Sequence, residues 1–150
     1  MSPNNMSLIA NPTLKIDHVY LKVSKLDESV NFYQSILGFR ILKKESDKKI
    51  AFLVSDTLNE CKGKSSSLLP PSPLLVLSQS NNDNNIYYSS SIKKKEAGLY
   101  HFAILLPERK YLASFLSHIQ KNINPQYYDG MADHAVSESI YIHDPDYNGD

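Results

Sequence analysis

The chain has 150 residues and a mass of 17.0 kDa, enough to bury roughly 68 to 70% of its unfolded surface without a staple, as one globular domain or two small modules sharing a core. Sixteen Lys and Arg balance sixteen Asp and Glu, which argues against a phosphate backbone as main partner. The single cysteine, Cys61, excludes an internal disulfide and a multi-cysteine zinc site. No stretch approaches about 18 consecutive apolar residues, and residues Met1 to Thr13 carry no basic segment ahead of their short apolar run. The expectation is a cytoplasmic protein with neither nucleic acid nor a membrane as partner.

Leu14 to Val23 (LKIDHVYLKV) alternates, with Ile16, His18, Tyr20 and Lys22 on one face and Asp17, Val19, Leu21 and Val23 on the other, so it reads as a strand. Ser24 stands three residues before Asp27, a capping-box spacing with Asp in the usual Glu or Gln place. Leu26, Val30, Tyr33 and Leu37 then mark the buried stripe of a helix that Gly38 ends. Phe39 to Leu42 and Ile50 to Val54 read as a hairpin around the charged Lys43 to Lys49, and Leu74 to Leu77 as a fourth strand. Asn59 to Ser67 and Ser78 to Lys95 have loop composition. The pattern then restarts. Leu99 to Leu106 (LYHFAILL) reads as a strand, Pro107 opens a helix with Leu112, Phe115, Leu116 and Ile119 as its stripe, and Glu138 to His143 is a further strand. Asp144 to Gly149 is turn chemistry throughout.

Strand, helix and strands thus occur twice, and Ile16-Asp17-His18-Val19 can be laid over Leu99-Tyr100-His101-Phe102. His18 and His101 fall at the same register. If the two modules are related by a pseudo-twofold axis, those imidazoles face one another across the shared surface, as two ligands of one divalent metal must. The domain organisation expected is a tail over 1–13, a first βαβββ module over 14–80, a linker over 81–97 and a second module over 98–150. No nucleotide-binding glycine loop, P-loop or nucleophile elbow occurs.

Three segments, IDHVYLKVSKLDESVNFYQSILGFRIL (Ile16 to Leu42), GLYHFAILLPER (Gly98 to Arg109) and MADHAVSESIYIHDPDYNG (Met131 to Gly149), resemble the vicinal oxygen chelate superfamily of glyoxalases, fosfomycin and bleomycin resistance proteins and extradiol dioxygenases. The resemblance is greatest to the N-terminal half of catechol 2,3-dioxygenase-like proteins. It implies an α+β fold of paired βαβββ modules forming a curved half-barrel sheet, with the final strand of the second module missing beyond Asp150. The chain therefore reads as truncated, and marginal stability or dimerisation through the gap is expected.

The same resemblance implies that His18 and His101 are metal ligands, that the third ligand is a glutamate past Asp150, and that His134 shuttles a proton near substrate while Tyr141 contacts it. The implied metal is Fe(II), with Zn, Ni and Mn as alternatives, and the implied substrate is a catechol or another vicinal-oxygen compound. A glyoxalase-like activity is the second enzymatic reading; a non-catalytic scaffold or small-molecule binding module of the same fold is the alternative. His118 is read as a charge in the last turn of the second helix rather than a ligand, and His143 as a surface or structural residue. Tyr147 occupies a turn position where the resembled family often has glycine.

Overall fold

The computed structural model describes residues 16–55, 72–80 and 101–148. In chain order these form β1 (Val19–Val23), α1 (Leu26–Ser35), β2 (Arg40–Glu45), β3 (Ile50–Val54), β4 (Leu75–Gln79), α2 (Arg109–Asn122), a short 3-10 turn (Pro125–Tyr127), β5 (Tyr128–Asp133) and β6 (Glu138–Ile142). The fold is α+β. One sheet runs β1-β4-β3-β2, with β4 parallel to β1 and antiparallel to β3, and a second is the β5-β6 hairpin.

The alternation in β1 sets its two faces. Leu21 and Val23 are buried while Tyr20 and Lys22 are exposed, and His18, just ahead of the strand, continues the exposed phase. Across the sheet Leu21 aligns with Leu77 and Ala51, all buried under α1, whereas Tyr20 aligns with Val76 and Phe52 on the opposite face. The core cluster joins these strands to Leu26, Val30, Phe32, Tyr33 and Ile36 of the α1 region and to Ile119 of α2. Phe102, Phe115, Tyr128, Ile140 and Ile142 pack against the same cluster, so both halves of the chain share one apolar interior.

Helix α1 ends as the sequence predicts. Gly38 adopts a left-handed φ of +72°, and Phe39 N–H returns to Tyr33 C=O at 3.0 Å. Its beginning differs. The N-cap is Lys25 without a side-chain cap, so Ser24 and Asp27 form no capping box. Instead Ser24 N–H donates to both carboxylate oxygens of Asp146 at 3.0 Å, and Leu26 N–H donates to Gln79 Oε1 at 3.2 Å. Leu26 N–H, a free donor of the helix start, and the Ser24 N–H just ahead of the cap are thus both met by side chains from distant segments.

Three further expectations are corrected. Residues 101–106, the described part of the predicted Leu99 to Leu106 strand, form no strand; an apolar run signals burial, but a strand also needs a ladder partner. Helix α2 starts at Arg109 with Glu108 at its N-cap, two residues beyond Pro107. Strand β4 extends through Ser78 and Gln79, which read as the start of a loop; pairing with β1 and β3 carries the ladder past the apolar residues. Of the two loop-like stretches, Asn59 to Ser67 and the part of Ser78 to Lys95 after Ser80 lie outside the described residues.

The turn after β6 is a buried polar anchor. Asp144 accepts from Tyr33 Oη at 3.0 Å, from the backbone N–H of Asp146 and Asn148 at 2.9 Å each, and from Asn148 Nδ2. Asp146 accepts from Ser24 N–H and, at 3.3 Å, from Ser29 Oγ. Burial pushes the Asp144 carboxyl up from its ordinary value, opposed by hydrogen bonds from Asn148, Tyr33 and Asp146. Burial, then the Asp144 charge, pushes the Tyr33 phenol up.

Tyr147 in this turn holds φ at +59° and stacks on His143, with centroids 4.4 Å apart and planes 21° apart. A left-handed conformation costs a bulky L residue roughly 1 to 2 kcal/mol, and the stack returns about 0.5 to 1.5 kcal/mol. Tyr147→Gly loses the stack but also the strain, whereas Tyr147→Ala keeps the strain alone. Chemical denaturation is expected to rank Tyr147→Gly above Tyr147→Ala; the opposite order contradicts this account.

Candidate metal and proton-transfer site

The candidate residues sit on two parts of the molecule. His18 directly precedes β1, and its Nδ1 lies 2.8 Å from Asp17 Oδ2, with side-chain exposures of 37% and 72%. His101 is exposed at the start of the 101–106 segment. His134 opens the β5-β6 turn, and Tyr141 stands on β6.

The hairpin brings the last two together. Asp133 pairs with Glu138, and His134 N–H donates to Ser137 C=O at 2.9 Å. Asp133 Oδ1 accepts from Ala135 N–H at 2.8 Å, which supports the left-handed φ of +66° at Ala135. This closed turn places His134 Nε2 at 3.1 Å from Tyr141 Oη, both groups exposed. Arg109 braces the same turn from the start of α2. Its Nε and Nη2 donate to the two carboxylate oxygens of Glu138 at 2.6 and 2.7 Å, and this partner holds the Glu138 carboxyl below its ordinary value. Arg109 was not singled out from sequence; the signal available was a basic residue at a helix start, where the dipole does not favour it.

The remaining histidines have other duties. His118 Nε2 lies 2.9 Å from Ser35 C=O and so supports the end of α1. His143 is buried, with Nδ1 at 2.6 Å from Asp129 Oδ2 and Nε2 without a partner among the described residues. A bulge between Tyr128 and Gly130, with Gly130 at φ +129°, turns Asp129 toward this imidazole. Of the surface and structural alternatives for His143, its burial matches the structural one, whereas the His118 contact with Ser35 was not read from the sequence.

The donor chemistry at His18 suits a divalent metal. The carboxylate on His18 Nδ1 leaves Nε2 as the open nitrogen, the arrangement common behind histidine ligands. Among the described residues no group of three His, Cys, Asp or Glu side chains is placed to hold a metal ion. A shallow cleft of about 200 Å³ lies between α1 and the end of α2, floored by Phe32, Ile36, Ile123 and Tyr127. None of His18, His101, His134 and Tyr141 lines it, so it is a helix seam apart from the candidate chemistry.

A shared core, the β1-β4-β3-β2 sheet order and a second helix followed by a two-stranded hairpin define a class of fold, and the comparisons agree with it. Residues 15–148 match the Glyoxalase/Bleomycin resistance protein/Dioxygenase superfamily, and the chain belongs to that family. A catechol-2,3-dioxygenase of Bacillus subtilis (strain 168) is 36% identical over 141 residues, covering 89% of this chain and 39% of that protein. The chain thus spans about two fifths of that relative's length.

Solved structures support the fold. A glyoxylase/bleomycin resistance protein/dioxygenase domain from Frankia sp. EAN1pec superposes with a TM-score of 0.64 at 18% identity, covering 90% of this chain and 92% of that one. A mutant of the fosfomycin resistance protein FosX from Listeria monocytogenes, complexed with Mn(II) and 1S,2S-dihydroxypropylphosphonic acid, gives 0.56 at 14% identity over 89% and 84% of the two chains. That protein was crystallised with a divalent metal and a small molecule. Among the described residues no helix is long and apolar enough to cross a membrane.

Proposed function

We propose that the chain forms part of a metal-dependent extradiol dioxygenase-like protein acting on a catechol-type compound. The observation that carries this reading is the exposed His134–Tyr141 pair, an imidazole and a phenol at 3.1 Å from one another. An imidazole in that setting can take a proton from a substrate hydroxyl and return it, with the Tyr141 hydroxyl orienting the ring. The 36% identity to a catechol-2,3-dioxygenase supports the substrate class.

His18 and His101 are the proposed metal ligands. The metal, Fe(II) in this reading with Zn, Ni or Mn as alternatives, would lower the pKa of two vicinal substrate oxygens by chelating both. The layout proposed is two modules, 14–80 and 98–150, joined by 81–97, in a cytoplasmic protein that associates with a second copy.

The test compares the chain with His18→Ala, His101→Ala, His134→Ala and Tyr141→Phe for Fe(II) affinity and catechol ring cleavage. Loss of either ligand is expected to weaken metal binding beyond the roughly 10- to 100-fold typical of an outer partner. His134→Ala is expected to keep the metal and lower kcat about 100-fold or more, and Tyr141→Phe to lower it less. A wild-type protein extended through the strand expected past Asp150 that holds no metal and cleaves no catechol would replace this reading with a non-catalytic scaffold or small-molecule binding module.

A further inference from the structure

Four histidines have named ring partners, and the partners sort them. His118 uses both nitrogens, Nε2 with Ser35 C=O and Nδ1 with Asn122 Nδ2 at 3.1 Å. His134 meets a phenol through Nε2. Among these four, His18 and His143 set Nδ1 against a carboxylate, at 2.8 and 2.6 Å. Their burial is opposite, with 37% of the His18 side chain exposed and 5% of His143. The same dyad is thus built twice, once sealed and once open.

We propose that Asp17 is a positioning residue that fixes His18 with its proton on Nδ1 and presents Nε2 as a bare donor to a divalent cation. This rests on the metal-site reading above. A free neutral imidazole favours the proton on Nε2, which would hide the outward lone pair. A carboxylate against Nδ1 reverses that preference and leaves the lone pair of the far nitrogen facing outward. The contact is a product of local structure. Within a paired strand, consecutive side chains point to opposite faces, but Asp17 and His18 precede Val19, the first residue of the ladder with β4. The Asp17 side chain is therefore able to turn back onto its neighbour.

The test has two readouts on the full chain. Long-range proton–nitrogen correlation spectra of the metal-free protein in mildly alkaline buffer report which ring nitrogen carries the proton. His18 is expected to be protonated on Nδ1 in the wild type and mainly on Nε2 in Asp17→Ala, while the His143 signals stay in place and show that the fold is intact. Co(II) titration is expected to weaken about tenfold in Asp17→Ala, the low end of the usual range because the pair is exposed, and to recover in part in Asp17→Glu. A wild-type His18 protonated on Nε2, or a tautomer that Asp17→Ala leaves unmoved, overturns the proposal. A wild type that binds no Co(II) but shows the tautomer change refutes the metal-site reading and leaves the role of Asp17 in setting the ring standing.

Discussion

Replacing Asp144 with Ala is expected to cost about 3 kcal/mol of folding stability, because it strips the acceptor from several buried donors at once. Tyr33 Oη, the backbone N–H groups of Asp146 and Asn148, and Asn148 Nδ2 all end on this carboxylate, whose residue is 1% exposed. Tyr33→Phe removes one donor and its desolvation together, and should cost about 1 kcal/mol. The two changes should be non-additive in a double-mutant cycle, since they share a bond. Urea denaturation that shows Asp144→Ala within 0.5 kcal/mol of wild type, about the spread of a neutral surface change, would sink this account of the turn.

The same residue gives a pH dependence with a definite sign. Burial raises the Asp144 carboxyl above its ordinary 3.8, so between that value and the raised one the folded chain binds more protons than the unfolded chain. The contribution of Asp144 to stability is therefore full below 3.8 and is lost as pH rises through the folded value. Asp144→Asn keeps the shape and cannot ionise. Its stability relative to wild type should improve with rising pH across that window and then level off, which unfolding curves at stepped pH can check. A constant difference at every pH contradicts the assignment.

How much of this could be read from the chain depends on the range of the forces involved. The stripe of Leu26, Val30 and Tyr33, the alternation through Leu21 and Val23, and the stop at Gly38 are local patterns, and each marks an element where the structure has one. The capping box failed because Ser24 and Asp27 have the right spacing, while the partner actually used is a carboxylate 122 residues away. No window of sequence contains that pair. The turn chemistry of Asp144 to Asn148 was legible, yet its docking under α1 was not, since it depends on the Tyr33 hydroxyl arriving from another element.

The candidate site divides in the same way. His18 could be placed on the exposed face by alternation, and Tyr141 on a strand by its neighbours. Their contacts needed geometry. His134 and Tyr141 lie seven positions apart, a distance that a tight turn at 134–137 closes and a longer loop would not. Asp17 lies beside His18 in the sequence, but period-two reasoning assigns adjacent residues to opposite faces. It was passed over because the strand was read as starting before it.

Ile119→Ala is expected to cost about 3 kcal/mol and to weaken both halves of the molecule together. Ile119 belongs to α2, from the second half of the chain, yet it is 0% exposed inside a cluster otherwise drawn from residues 21 to 77. Truncating a fully buried aliphatic side chain removes its transfer energy and leaves a cavity, typically 2 to 5 kcal/mol. The milder Ile119→Val should cost about 1 kcal/mol. Two independently folding modules would confine the loss to one of two transitions. A shared interior makes unfolding a single event, with a lower urea midpoint and an unchanged slope. A split transition, or a loss below about 1 kcal/mol, would show that α2 only rests on the sheet. A single transition would mean that α2, which leads into the β5-β6 hairpin carrying His134 and Tyr141, shares the stability of the β1 strand that follows His18.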